Sequence, residues 1–311
     1  MSDQPVVTTK NLVKRFGSQV AVDGISLTVN QGDVYGFLGL NGAGKTTSMR
    51  MLMGLLRADS GSIRIFGAES VADRRQVMAR VGAMVESPSF YGHMSGRKNL
   101  QLLGSLAGPL PKGRIDEVLE IVGLSDSGSK KAKHFSLGMK QRLSIGLAIL
   151  GEPDLVVLDE PANGLDPNGI IEMRHLIRRL NQEKGTTFIV SSHLLYEIEL
   201  MCNRIAILEK GRLLYEGPPE SFGRQDTPRF RACGNKNSEI KKILTSDERL
   251  KNITDSDEGG VLFECEHELL PSIHKSLALS NAELYTLQEE KMTLEEFFIQ
   301  RTGDEQAGLP S

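Results

Sequence analysis

The 311 residues include 37 basic and 40 acidic side chains and are 39% hydrophobic, the make-up of a soluble globular chain long enough for two domains and unlike a disordered, fibrous or disulfide-stapled one. No run reaches the roughly 18 apolar residues of a membrane-spanning helix, and the opening MSDQPVVTTK lacks the pattern of a secretory leader, so a cytoplasmic location is expected. From Asp226 onward there are 10 basic and 17 acidic residues, net -7, which leaves +4 on the first 225; neither part has a polyanion-binding footprint, so nucleic acid is not an expected partner.

Short strands are predicted at Val6–Thr8, Ile25–Val29 and Val34–Leu38, the last apolar on both faces and so central in a sheet. Helical spacing follows over Thr46–Leu56, with Met49, Leu52, Met53 and Leu56 on one face. Asn99–Leu106 and Arg114–Val122 read as helices with no strand between them, which makes about 87–135 a helical insertion. Leu155–Leu158 and Thr187–Ser191 are further apolar strands, each entered through a turn signal. Doubly buried strands separated by helices predict an α/β fold, a mostly parallel sheet covered on both faces. Pro218-Pro219 and the polar run Gly223–Pro228 predict a linker, so a first domain spans 1–220. Residues 226–300 predict a small α+β domain, with helices at Glu239–Leu244 and Leu269–Leu279 and strands at Val261–Cys265 and Ala282–Tyr285; 304–311 reads as a frayed tail. Cys202, Cys233 and Cys265 are too widely spaced for a zinc motif and read as small buried hydrophobes.

Gly39-Leu40-Asn41-Gly42-Ala43-Gly44-Lys45-Thr46 matches the GxxxxGK[ST] phosphate loop and stands where that loop must, between an apolar strand and a helix. Glycines let backbone amides face phosphate oxygens, the helix N-terminus adds positive potential, Lys45 reaches the β/γ-phosphates and Thr46 can ligate Mg²⁺; Thr47 completes the nucleotide-binding set. Leu155–Leu158 runs into Asp159-Glu160, expected on a strand beside the phosphate-loop strand. Asp159 there would hold Mg²⁺ directly or through water and Glu160 would act as general base, the alternative being an acidic pair at a helix N-terminus. Ser136-Leu137-Gly138 is a hydroxyl-bearing turn that opens a helix, an anion-binding device.

Residues 1 to about 220 closely resemble the ATP-binding subunit of an ABC transporter, through several motifs in that family's order. Phe135-Ser136-Leu137-Gly138-Met139-Lys140-Gln141-Arg142 resembles the signature motif, Asn163-Gly164-Leu165-Asp166 the D-loop, and His193 the switch histidine. Phe16 stands where the family stacks an aromatic on adenine, although strand packing explains it as well. The resemblance implies a P-loop NTPase core with a helical subdomain, ATP and Mg²⁺ as ligands, and two chains paired head to tail, homodimer or sister chains. Ser136, Gly138 and Asp166 would then complete the mate's nucleotide site, with His193 on the γ-phosphate. It further implies a separate integral-membrane permease and a place at the inner face of the membrane.

The signature departs from the usual Leu-Ser-Gly-Gly-Gln at Phe135, Leu137 and Met139. Glu86 stands where the family has glutamine, near Mg²⁺ and the attacking water. That change resembles the ATPases of bacteriocin, lantibiotic and bacitracin self-protection exporters, or it keeps only a metal-shell oxygen. Lys291–Phe298 resembles the ending of many drug-export ATPases and equally fits an amphipathic helix burying Leu294, Phe297 and Phe298. Ser89-Phe90-Tyr91 offers docking anchors for a membrane subunit or packs within the insertion. The alternative function is a soluble ABC-type ATPase acting in translation or DNA maintenance; the single phosphate loop and the absence of a heptad tract or basic stripe speak against it.

Overall fold

The computed structural model describes residues 5–68, 74–85, 90–193, 195–222, 227–256, 259–280 and 282–290. The chain divides into two compact units, Met1–Glu220 and Ser221–Ser311, each with a hydrophobic core of its own. In the first unit, Pro5–Phe16 (β1) and Gln19–Asn30 (β2) pair antiparallel, so the expected strands are longer than their apolar bursts. Val34–Leu38 (β3) is buried throughout and leads into helix α1, Lys45–Leu52. That helix stops four residues before the predicted Leu56. Gly54 takes the left-handed φ of +64° and the Leu55 amide bonds the Arg50 carbonyl, a helix-terminating turn that strands Leu55 in solvent.

Two strands that the apolar pattern did not mark follow, Ser60–Ile65 (β4) and Val81–Met84 (β5), with the short helix Arg74–Met78 (α2) between them. β4 pairs with β1, and the sheet runs β2-β1-β4. Next, Gly96–Ser105 (α3), Arg114–Ile121 (α4) and Leu137–Ala148 (α5) pack on one another, so the helical group extends beyond residue 135 through α5. Arg114 is buried and donates to the carbonyls of Ile149 and Leu150, which closes the end of α5 against α4.

The chain then alternates strand and helix: Leu155–Leu158 (β6), Pro167–Lys184 (α6), Thr187–Ser192 (β7), Leu195–Met201 (α7), Arg204–Glu209 (β8) and Arg212–Gly217 (β9). The sheet order is β5-β6-β7-β3-β8-β9, parallel except for β9, which pairs antiparallel with β8. One expectation is corrected here. β6 does not neighbour the phosphate-loop strand: β7 lies between them and brings Ser191 and His193 into the gap. Every β3, β6 and β7 residue is buried, as strands covered on both faces must be.

In the second unit the order is Arg229–Gly234 (β10), Asn237–Thr245 (α8), Lys251–Asp255 (β11), Val261–Glu264 (β12), Leu270–Ala278 (α9) and Leu284–Glu290 (β13). The antiparallel sheet β11-β12-β10-β13 with this β-α-β-β-α-β order is a ferredoxin-like arrangement. Phe230, Ala232, Ile240, Leu244, Val261, Phe263, Ile273 and Leu277 fill its core. β10 and β11 escaped the sequence reading because arginines or polar residues alternate with few apolar ones. The strand expected at Ala282–Tyr285 begins instead at Leu284. Cys202 and Cys265 are buried, whereas Cys233 is only half-buried, on the outward-facing side of β10. Glu86, Ser89, most of the Gly223–Pro228 linker, Lys291–Phe298 and 304–311 lie outside the described residues.

Candidate nucleotide site

β3 delivers the chain to Gly39, and the loop turns back to open α1 at Lys45. Gly44 is the N-cap of α1 at φ +102°, and a methyl there would lie 2.6 Å from the Ala21 carbonyl oxygen. Both backbone angle and space therefore demand glycine. Lys45 is 6% exposed, yet its ammonium is satisfied: it donates to the Gly39 carbonyl at 2.6 Å and the Leu40 carbonyl at 3.4 Å, with Glu160 Oε1 at 3.3 Å. A buried lysine is tolerable only with such partners.

Glu160 follows the last residues of β6 and adopts a left-handed φ of +49°, unusual for a side chain of its size and typical of functional sites. Its second oxygen, Oε2, is 2.8 Å from His193 Nδ1. Ser191 fastens this corner. It donates to Asp159 Oδ1 at 2.6 Å and accepts the Glu160 amide at 2.8 Å. Lys45, Glu160 and His193 thus converge on one cavity of about 450 Å³, whose wall also includes Leu40, Asn41, Gly42, Gly44, Thr46 and Thr47.

The far end of the cavity is Phe16, Gln19 and Ala21. Phe16 is half exposed at the end of β1, free to stack on a planar base. Asp59 pins that strand end by accepting from Lys14 Nζ at 2.9 Å and from the Arg15 amide at 2.6 Å. The Lys14 hydrogen bond holds the Asp59 carboxyl below its ordinary pKa, and the Lys14 ammonium stands 5.6 Å from the Phe16 ring centroid.

Several expected residues lie elsewhere. Gly39 and Ala43 shape the loop from behind: a methyl on Gly39 would meet the Leu208 carbonyl, and Ala43 is buried. Ser136 caps α5, its hydroxyl accepting the Met139 amide at 3.2 Å, with Gly138 beside it, and Asp166 caps α6 by accepting the Gly169 amide at 3.1 Å. None of these three lines the cavity of its own chain. Among the described residues no cluster of three or more His, Cys, Asp or Glu is arranged to hold a metal. The sequence reading did not single out Ser191, Asn163, Gln19 or Asp59; Ser191 and Asn163 were signalled, the one two residues before His193 on an apolar strand, the other as the first residue of the D-loop match.

The ABC transporter family model matches residues 22–163, from β2 through the phosphate loop to Asn163. The ABC transporter ATP-binding protein YhcH of Bacillus subtilis is 38% identical over 301 residues, 96% of each chain. This chain is an ABC transporter ATP-binding protein. BcrA, the bacitracin transport ATP-binding protein of Bacillus licheniformis, is 49% identical over 213 residues, covering 68% of this chain and 70% of its own. The structure of cbiO1 from Clostridium perfringens, part of the ABC transporter complex cbiONQ, aligns with a TM-score of 0.64 at 26% identity over 70% of this chain and 90% of that one. As an ABC ATPase the protein binds and hydrolyses ATP.

Proposed function

We propose that this ABC ATPase powers export of a peptide antibiotic or related drug through a separate membrane permease. In this reading two copies, or this chain and a sister, close head to tail on ATP at the inner face of the membrane. Likeness to BcrA supports the cargo class, and among the described residues no helix is long and apolar enough to cross a membrane, so the path would come from another polypeptide. The observation that carries the mechanism is the convergence of Lys45, Glu160 and His193 on a cavity that Ser136 of the same chain does not reach. A turn built to cap an anion and facing none in its own chain is accounted for by a mate's nucleotide.

Glu160 is the general base and His193 holds its carboxylate in position. Lys45 stands 3.3 Å from Glu160 Oε1; a bound γ-phosphate would draw the ammonium to itself and leave the carboxylate to take a proton from water. Phe16 stacks on the base. The Thr46 hydroxyl and the Asp159 carboxylate are hard oxygen donors of the kind Mg²⁺ takes beside phosphates, and ATP phosphate oxygens and water would supply further ligands. When bound, Mg²⁺ offsets phosphate charge. For Glu86 we propose the same metal-side surroundings, on the strength of the sequence resemblance alone.

Glu160→Gln tests this assignment. It should lower kcat by at least about 100-fold while ATP still binds and drives pairing, read by steady-state hydrolysis and size-exclusion chromatography. Undiminished turnover would remove Glu160 from its role. Deleting the gene in its host should raise sensitivity to bacitracin-type peptides; unchanged sensitivity across such compounds would remove that cargo.

A further inference from the structure

We propose that Gln141 is a positioning residue that ties the ATP-capping turn of this chain to its own hydrolytic cavity, so that closure over one nucleotide sets the geometry at the other. The proposal rests on the head-to-tail pairing proposed above. Gln141 lies on α5, just over one turn beyond Ser136, whose hydroxyl caps the same helix. Its Nε2 donates to the Asn163 carbonyl at 2.9 Å. Asn163 lines the cavity with Lys45, Glu160 and His193, and its amide donates to the Glu160 carbonyl at 3.1 Å. Four residues, 160–163, thus form one tight turn with the carboxylate at its start and the Gln141 bond at its end.

Two apolar contacts run beside that bond. A methyl on Gly164 would lie 2.9 Å from Leu137 Cδ2, and one on Gly138 would lie 3.4 Å from Leu165 Cδ2. Leu137, which takes the place of a glycine in the usual signature, therefore packs directly on the loop. The other end of the Gln141 amide, Oε1, is buried without a hydrogen bond among the described residues, so the loop carbonyl is the only polar partner this side chain has there. With Oε1 unused, the Asn163 bond is what orients this side chain. A helix moves as a rigid body, so displacing the Ser136 turn onto a mate's phosphate displaces Gln141, and the 160–163 turn follows.

The test uses the full-length chain and ATP. Gln141→Glu keeps the shape but presents a carboxylate to the carbonyl and cannot donate. Wild type should show a sigmoidal dependence of hydrolysis on ATP concentration. Gln141→Glu should bring the Hill coefficient toward unity and lower kcat about 10-fold, with ATP affinity of dilute protomers, ATP-driven pairing in a Glu160→Gln background, and melting temperature unchanged. Leu137→Gly, which loosens the same brace without touching Gln141, should lower the Hill coefficient in the same direction and stands in if Gln141→Glu folds poorly. Wild-type cooperativity and kcat in both variants would overturn the brace, as would losses that merely track a lower melting temperature. A wild type that hydrolyses ATP as a monomer with a hyperbolic response would overturn the pairing as well, which separates the two failures.

Discussion

Glu160 shows how much of this site is held by residues that never touch substrate. Its left-handed backbone is costly, about 1–3 kcal/mol for such a residue, and persists because Ser191 accepts its amide while donating to Asp159. One hydroxyl therefore aims both acidic side chains. Ser191→Ala leaves the Glu160 amide and Asp159 Oδ1 each short of a partner. The expected cost is about 1–3 kcal/mol of stability, with kcat falling more than the KM for ATP, measured by denaturant melts and steady-state hydrolysis. A larger effect on KM than on kcat would place Ser191 in ATP binding rather than in aiming the base. Ser191 was within sight in the sequence, next to the histidine motif, but nothing in a string of residues says that β7 lies between β6 and β3.

At the scale of elements, the helical group α3–α5 is tied by ions as well as by apolar packing. The Arg97 guanidinium donates to Asp116 and holds that carboxyl below its usual pKa; Arg114 does the same to Glu117. A carboxylate whose folded pKa is depressed stabilises the fold above its unfolded value, near about 4, and that contribution is lost as pH falls through the lower folded value. Stability of the full chain should decline below about pH 5, and Asp116→Asn should flatten the decline, checked by urea melts across pH 3–7. An identical pH dependence in the variant would show the pair to be inert. Arg114 has a second task, closing the Ile149 and Leu150 carbonyls. Arg114→Leu should cost about 2–4 kcal/mol, far more than loss of the exposed Arg97 pair, because it leaves buried carbonyls unpaired.

The buried apolar residues divide along the chain: one cluster gathers β1–β4, α1 and the central strands, the other only residues from Phe230 onward. Each unit has a hydrophobic core of its own, as separately folding domains do. A chain ending at Glu220 should therefore fold cooperatively and bind ATP with near-native affinity, read by circular dichroism and calorimetry. A molten or aggregating product would show that the first unit needs the second.

The phosphate-loop motif, the Asp159-Glu160 pair, the buried strands β3, β6 and β7 and the helix-opening serine were legible in the sequence, because each depends on local chemistry: glycines where amides must face outward, apolar runs where both faces are covered, a hydroxyl where a helix begins. Strand order was not legible, since the pattern that marks β3, β6 and β7 as buried is the same in any order; the expected β6–β3 neighbours proved to be separated. Strands β4, β5, β10 and β11 were hidden because edge position or polar alternation removes the apolar signal. Ser191, Gln141 and Asp59 act on residues from 22 to 45 positions distant. Sequence fixes which groups can do the chemistry; folding alone sets their distances, and a hydrogen bond is made or lost within a few tenths of an ångström.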